Sequence, residues 1–254
     1  MLHNSRLPTT IACCVLASVL CTRAASAVDI FLDDFNDRNA QDGTPATWAP
    51  GLGTWDASSG DYVATGSVPR VSLVPAEDLG NTSVRTQARV TGTIGASIAL
   101  RRPTPLVGYA GGIRADGTLE IARVDGAAAP TLLGTLVVPF NPVAQDVLLQ
   151  FDAIGDKLSL RAWRVGESMP NEPQLVAFDS TYAHGHPGLI AASSGAAASD
   201  STTFRFAQVA NEPITPEPST FALLGLAGCG LLCARRRNRS QTAQASARRF
   251  GSGG

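Results

Sequence analysis

The chain has 254 residues, 44% of them hydrophobic and only 16% charged, with a formal net charge of −1. That near-neutrality hides a division: Val28 to Glu212 holds 20 acidic against 12 basic side chains, a net of −8, while residues 235–254 hold six arginines. An acidic body presents no basic face to phosphates, which excludes nucleic acid as its partner.

Residues 1–27 read as a signal peptide. Arg6 supplies the positive start, Thr9 to Leu20 the apolar centre, and Ala25-Ser26-Ala27 an A-x-A site. Cleavage after Ala27 by signal peptidase is expected, leaving Val28 as the mature N-terminus and committing the protein to the export machinery. Cys21 follows Ser18-Val19-Leu20, a poor lipobox. The five cysteines (13, 14, 21, 229 and 233) all fall outside residues 28–212. The exported body must therefore hold together without disulfides, and its 185 residues are enough for one domain with its own core.

The body, residues 28–212, reads as all-β. An acidic run comes first: Asp33, Asp34, Asn36, Asp37, Asn39 and Asp42. Asp34, Asn36 and Asp37 are the candidate ligands for a structural calcium, which takes six to eight oxygens from loops. The spacing is not that of an EF-hand, because the glycine falls one place late and Trp48 stands where the bidentate glutamate belongs. Asp and Asn in turns also bond their own backbone, which is the plainer role for this run. No other cofactor is expected.

Further along, Ser83–Val90 alternates, with Val84, Thr86, Ala88 and Val90 on one face and Ser83, Arg85, Gln87 and Arg89 on the other. Strands are predicted after it at Ala96–Arg102, Tyr109–Arg114, Thr118–Val124, Thr131–Val138, Asp146–Phe151, Lys157–Val165, Leu175–Phe178, Gly188–Ala192 and Thr203–Val209. Asp116-Gly117, Asp125-Gly126 and Gly155-Asp156 supply hairpin turns. Strands about ten residues apart, with no helical period between them, point to a two-sheet antiparallel β-sandwich.

The C-terminal region has three parts. Residues 213–220 are a Pro-rich linker carrying Pro216, Glu217, Pro218, Ser219 and Thr220, in which the prolines disfavour helix before them and Ser219 and Thr220 can cap one after them. Residues 221–234 carry no charge and are predicted to form a transmembrane helix, short for a full span at about 21 Å. Arg235, Arg236 and Arg237 mark the cytoplasmic side and stop transfer. The rest of residues 235–254 is polar and rich in small residues, and its composition predicts disorder.

Pro216-Glu217-Pro218-Ser219-Thr220, the run Phe221–Ala234 and Arg235-Arg236-Arg237 together resemble the PEP-CTERM sorting signal. The resemblance implies recognition by an exosortase-type membrane transpeptidase, removal of the tail, and delivery from the inner membrane to the envelope, cell surface or extracellular matrix. Such signals stop soon after their basic cluster, whereas this chain continues to Gly254. The body resembles the concanavalin A-like, laminin-G-like jelly roll. The residues that carry this are Asp33-Asp34-Phe35-Asn36-Asp37 on a first strand, Gly53-Thr54-Trp55-Asp56, Gly117 to Ile121, Gly188 to Ala191 and Phe204-Arg205-Phe206.

Jelly rolls of this type host both glycan binders and glycan hydrolases. Hydrolysis needs two carboxylates flanking one bond, and no E-x-D-x-x-E strand occurs; Glu120 is followed by Ile121-Ala122-Arg123, with Asp125 in a turn. A serine hydrolase would need a G-x-S-x-G elbow, which is absent, and His184-Gly185-His186 lacks a clear third metal ligand. No catalytic residue is therefore assigned. Sugars also stack on aromatic rings, for which Trp48, Trp55, Tyr109, Trp163 and Tyr182 are the candidates, each weighed against a place in the core. The expected function is structural or adhesive, with exopolysaccharide as the candidate ligand. The alternatives are a glycan-active hydrolase and an uncut, membrane-tethered periplasmic domain.

Overall fold

The computed structural model describes residues 29–66, 69–143, 145–192 and 200–215. The predicted signal peptide with Ala25, Ala27 and Val28, the sorting residues Pro216 to Thr220, the apolar run and Arg235, Arg236 and Arg237 lie outside the described residues. The chain divides into two units between Thr215 and Pro216. Among the described residues, no helix is long and apolar enough to cross a membrane.

Among the described residues, fifteen strands build the first unit: β1 (Asp29–Asp33), β2 (Ala49–Leu52), β3 (Thr54–Asp56), β4 (Tyr62–Thr65), β5 (Arg70–Leu73), β6 (Thr82–Val90), β7 (Gly95–Thr104), β8 (Val107–Ile113), β9 (Thr118–Asp125), β10 (Thr131–Val137), β11 (Val147–Ile154), β12 (Lys157–Arg164), β13 (Leu175–Phe178), β14 (His186–Ala192) and β15 (Thr202–Ala210). One sheet runs β13-β12-β11-β6-β15-β4-β3, with β1 also on β15; the other runs β10-β9-β8-β7-β14-β5-β2. All strand pairs are antiparallel. This is the β-sandwich that the alternating pattern predicts.

The turns do what their residues allow. Gly155-Asp156 closes a two-residue hairpin with Ile154 opposite Lys157, and Gly155 takes a φ of 59°. Asp116-Gly117 joins β8 to β9, the Asp116 carboxylate accepting the Thr118 amide at 2.9 Å. The first strand differs from expectation. It ends at Asp33, because Phe35 enters the left-handed region (φ 55°) and the carboxylates that follow cap turns instead of continuing a ladder.

Inward residues of both sheets form one core. Val84, Ala88, Leu149, Phe151, Leu158, Leu160 and Phe204 on one side meet Ile98, Leu100, Tyr109, Ile113, Leu119 and Ile121 on the other. The sheets approach closely where β8 passes Phe151: a Cβ on Gly111 would lie 2.6 Å from that ring. Only glycine leaves room for the phenylalanine there. β6 shows the predicted division, its Val84, Thr86, Ala88 and Val90 buried and Arg85, Gln87 and Arg89 on the outer face.

The outer face of the larger sheet carries a buried ion pair. Asp152 (1% exposed) takes Ser83 Oγ at 2.6 Å, Gln150 Nε2 at 3.0 Å and Arg161 Nη1 at 2.9 Å. Ile214, which the linker assignment of 213–220 places outside the sandwich, closes over this group. Its amide donates to Ser83 Oγ at 3.3 Å and its carbonyl accepts Gln150 Nε2 at 2.8 Å. The domain therefore extends two residues past Glu212, through a side chain that is itself buried.

Candidate functional site

The aromatic candidates separate by what surrounds them. Trp48 is 1% exposed, tilted against Phe35 and Tyr62 at 5.7 and 5.6 Å, and its indole N–H donates to Asp33 Oδ2 at 2.8 Å. Trp55 is half-buried between Tyr62 (4.8 Å) and Phe204 (5.9 Å), its N–H on the Leu52 carbonyl. Trp163 faces away from Leu158 and Leu160, as alternation requires, yet is enclosed at 5% exposure. Tyr109 is fully buried. Trp48, Tyr109 and Trp163 thus present no open ring to a ligand, because the sandwich uses them as packing.

Beside Trp48 lies the calcium candidate. Asp34 accepts the Asn36 amide (3.2 Å) and side-chain N–H (2.7 Å), Asp37 accepts the Asn39 amide (3.0 Å), and Asn39 and Asp42 cap the next two turns. The carboxylates are engaged in successive local turns. Among the described residues no group of three or more His, Cys, Asp or Glu side chains is disposed to hold a metal ion. Asp33 points the other way, into the aromatic cluster. Burial raises its carboxyl above the ordinary value, against the opposing pull of its bonds from Phe35 and Trp48.

Tyr182 is different. It lies half-buried on the connection from β13 to β14, set edge-on to Tyr109 at 5.5 Å. Its backbone N–H donates to the Tyr109 hydroxyl (3.0 Å) and its own hydroxyl to Asp125 Oδ1 (2.6 Å). Arg123, one residue pair back along β9, donates Nε to Asp125 Oδ2 (3.0 Å) and Nη1 to Asp179 Oδ2 (2.7 Å) and Thr181 Oγ1 (3.1 Å). The Tyr109 hydroxyl donates to the remaining Asp179 oxygen at 2.7 Å. Arg123 Nη2 has no hydrogen-bond partner among the described residues, and Asp125 keeps 39% of its side chain in solvent.

Electrostatics follow from that wiring. Burial would raise the Asp179 carboxyl, but Thr181, Tyr109 and Arg123 outweigh it and hold it at about 2. The Tyr182 and Arg123 bonds lower Asp125 as well. Burial, with Asp179 beside it, pushes the Tyr109 hydroxyl up to about 12. At neutral pH the cluster is one guanidinium, two carboxylates and two neutral phenols.

A buried arginine holds this end in place. Arg101, in the left-handed region (φ 49°), donates to the carbonyls of Gly80 (2.6 Å), Gly155 (2.7 Å), Tyr182 (3.1 Å) and Ala153 (3.3 Å). It ties three loops together, and burial lowers its pKa. Gly185 (φ 148°) passes so close that a Cβ would sit 2.5 Å from the Arg101 carbonyl carbon. His184 pairs with Asp78 at 2.8 Å in the open, and His186 meets the Glu77 carbonyl. Those two histidines do not converge on one ligand position. At the other end of β9 a shallow cavity of about 410 Å³ is lined by Ala115, Asp116, Val138, Pro139, Phe140 and Asn141.

Residue-type reasoning names Tyr109 and Tyr182 but misses Arg123, Asp125, Asp179, Thr181 and Arg101. The one local signal is β9 itself, where Arg123 and Asp125 are spaced to share a face.

Residues 215–238 match the PEP-CTERM protein-sorting motif. No curated protein matches the chain. Among solved structures, the chain is similar to the carbohydrate binding module CBM66 from Bacillus subtilis, at 14% identity and TM-score 0.50, over 63% of this chain and 92% of that one. It is also similar to the VIP36 exoplasmic/lumenal domain in its Ca2+/Man3GlcNAc-bound form, at 13% identity and TM-score 0.52, over 72% and 90%. A third likeness is to the GH43 BlXynB protein from Bacillus licheniformis, at 12% identity and TM-score 0.53, over 71% of this chain but only 39% of that one. At these identities the likeness is one of fold. The sorting motif marks an exported protein, and its sandwich shares its fold with the CBM66 module and the VIP36 exoplasmic/lumenal domain.

Proposed function

We propose that this protein is delivered to the cell envelope or extracellular matrix after exosortase-type processing at the inner membrane, and that its sandwich binds polysaccharide there through the Tyr182 cluster. The observation that carries the reading is the half-open Tyr182 ring, pinned among Arg123, Asp125 and Thr181. Sugar recognition calls for that combination: a ring for the apolar face of a pyranose, with fixed donors and acceptors for its hydroxyls. Arg101 and Tyr109 hold the ring's backbone, so little ordering is left to do on binding.

Hydrolysis is the second reading, favoured by the GH43 likeness. It requires one carboxyl kept protonated as general acid. Asp125 and Asp179 share one arginine and both are lowered, so neither is suited to that role. Binding is therefore the better fit to this cluster.

Two measurements test the proposal. Affinity electrophoresis of the mature protein in gels containing host exopolysaccharide should show retardation that Tyr182→Ala abolishes; equal mobility of both proteins with and without polysaccharide would defeat the binding claim. Intact mass and cell fractionation of the wild type against a variant with Pro216, Glu217 and Pro218 all changed to Ala should show a trimmed envelope or matrix species only in the wild type. An uncut wild-type chain in the inner membrane would favour a tethered domain.

A further inference from the structure

The charge of the cluster bears on which glycans it admits. We infer that the Tyr182 surface takes neutral, hydroxyl-rich glycans and rejects polyuronates and other acidic polymers; this rests on the binding role proposed above. Arg123 is the cation at the open side of the cluster, since the buried Arg101 behind it spends its donors on backbone carbonyls, and both Asp125 and Asp179 are already on Arg123, at 3.0 and 2.7 Å. A uronate arriving at Arg123 would meet a guanidinium that is more than neutralised. Around it the body from Val28 to Glu212 carries a net charge of −8, which disfavours the approach of a polyanion before contact is made.

Hydroxyls face no such obstacle. Asp125 Oδ1 and Oδ2 each accept one bond within the protein and each retains acceptor capacity, on a side chain 39% exposed. Arg123 Nη2 offers donors that no described residue takes. Thr181 Oγ1 accepts from Arg123, and its own proton is engaged by the Asp179 carboxylate. Acceptor and donor lie within a few bonds of a half-open ring, and Arg123, Asp125 and Asp179 together bear a net charge of −1. A vicinal diol can satisfy acceptor and donor, whereas a carboxylate leaves Asp125 opposed.

The test uses the mature protein and two sets of soluble probes, neutral glucan, xylan, mannan and fructan against alginate and polygalacturonate, measured by calorimetry at low salt. At least one neutral polymer should bind, with the uronate polymers about tenfold weaker or worse. Asp125→Asn, which keeps an acceptor for the Tyr182 hydroxyl, should narrow that ratio by raising uronate affinity, provided circular dichroism shows the fold intact. Uronates bound as well as or better than any neutral polymer, with Tyr182→Ala removing the binding, would overturn the choice of glycan class and leave the binding surface standing. Failure of every probe, host exopolysaccharide included, would overturn both.

Discussion

Two ends of the sandwich bring carboxylates and aromatic rings together, with opposite results. At the β1 end, Asp33 is enclosed by Trp48, Phe35 and Tyr62, with no arginine among the described residues in contact. At the Tyr182 end, Asp125 and Asp179 meet tyrosines and Arg123 at the surface. The first arrangement turns inward, since every polar atom is satisfied within the protein and the rings shield it. The second leaves acceptors, donors and part of a ring open. Aromatic content alone does not mark a binding surface here. The useful sign is a ring whose polar partners still have unused bonds.

Truncation separates the two ends most sharply. Trp48→Ala should cost about 3–5 kcal/mol in chemical denaturation, as removal of a fully buried large ring does. Its effect on glycan affinity should vanish once the folded fraction is corrected for. Asp33→Asn is subtler. Both Asp33 oxygens accept, one from the Phe35 amide and one from Trp48 Nε1, and an amide can accept on only one. Despite relieving the desolvation that raises this carboxyl, the change should cost about 1–3 kcal/mol. A neutral result would mean that the buried charge, not the hydrogen bonds, dominates that end.

At the opposite end the balance should reverse. Tyr182→Ala should lower stability by only about 0.5–1.5 kcal/mol, the worth of one aromatic pair, while weakening polysaccharide binding at least tenfold in calorimetry. The smallest effect is one of pH. Asp179 is depressed to about 2 in the fold, against about 3.9 for an unperturbed aspartate. Its contribution is present above the unfolded value and is lost as pH falls from about 4 toward 2. Thermal melts of Asp179→Asn should show a shallower acid slope than wild type over that window. Parallel slopes would remove Asp179 from the account.

Much of the fold was legible. From β6 to β15 the period-2 pattern and the Asp-Gly and Gly-Asp turns place every strand within a few residues of where it lies. Earlier strands escape because they are short: β2 is Ala-Pro-Gly-Leu, with no alternation, and β5, Arg-Val-Ser-Leu, alternates over only four residues, too few to stand out. The site was legible only in part. Tyr109 and Tyr182 stand out by residue type, but Arg123 and Asp125 look like ordinary strand and turn residues. What makes them a site is the chain reversal after β13, which lays Asp179 to Tyr182 against β9 across more than fifty residues of sequence. No local pattern encodes a meeting of that range. Arg101 is hidden for the same reason, since its four carbonyl partners come from three separate loops and the end of β11.

Ile214 has a consequence for proteolysis. Its amide and carbonyl are clamped to Ser83 and Gln150, above the buried pair of Asp152 and Arg161. A protease that trims the chain from its C-terminal side and removes Ile214 strips the cover from a buried carboxylate. The sorting motif starts at residue 215, immediately beyond. The sandwich thus sets its own trimming limit: any mature form that keeps Ile214 keeps the lock on the larger sheet, and any form cut before it should be the first to be degraded.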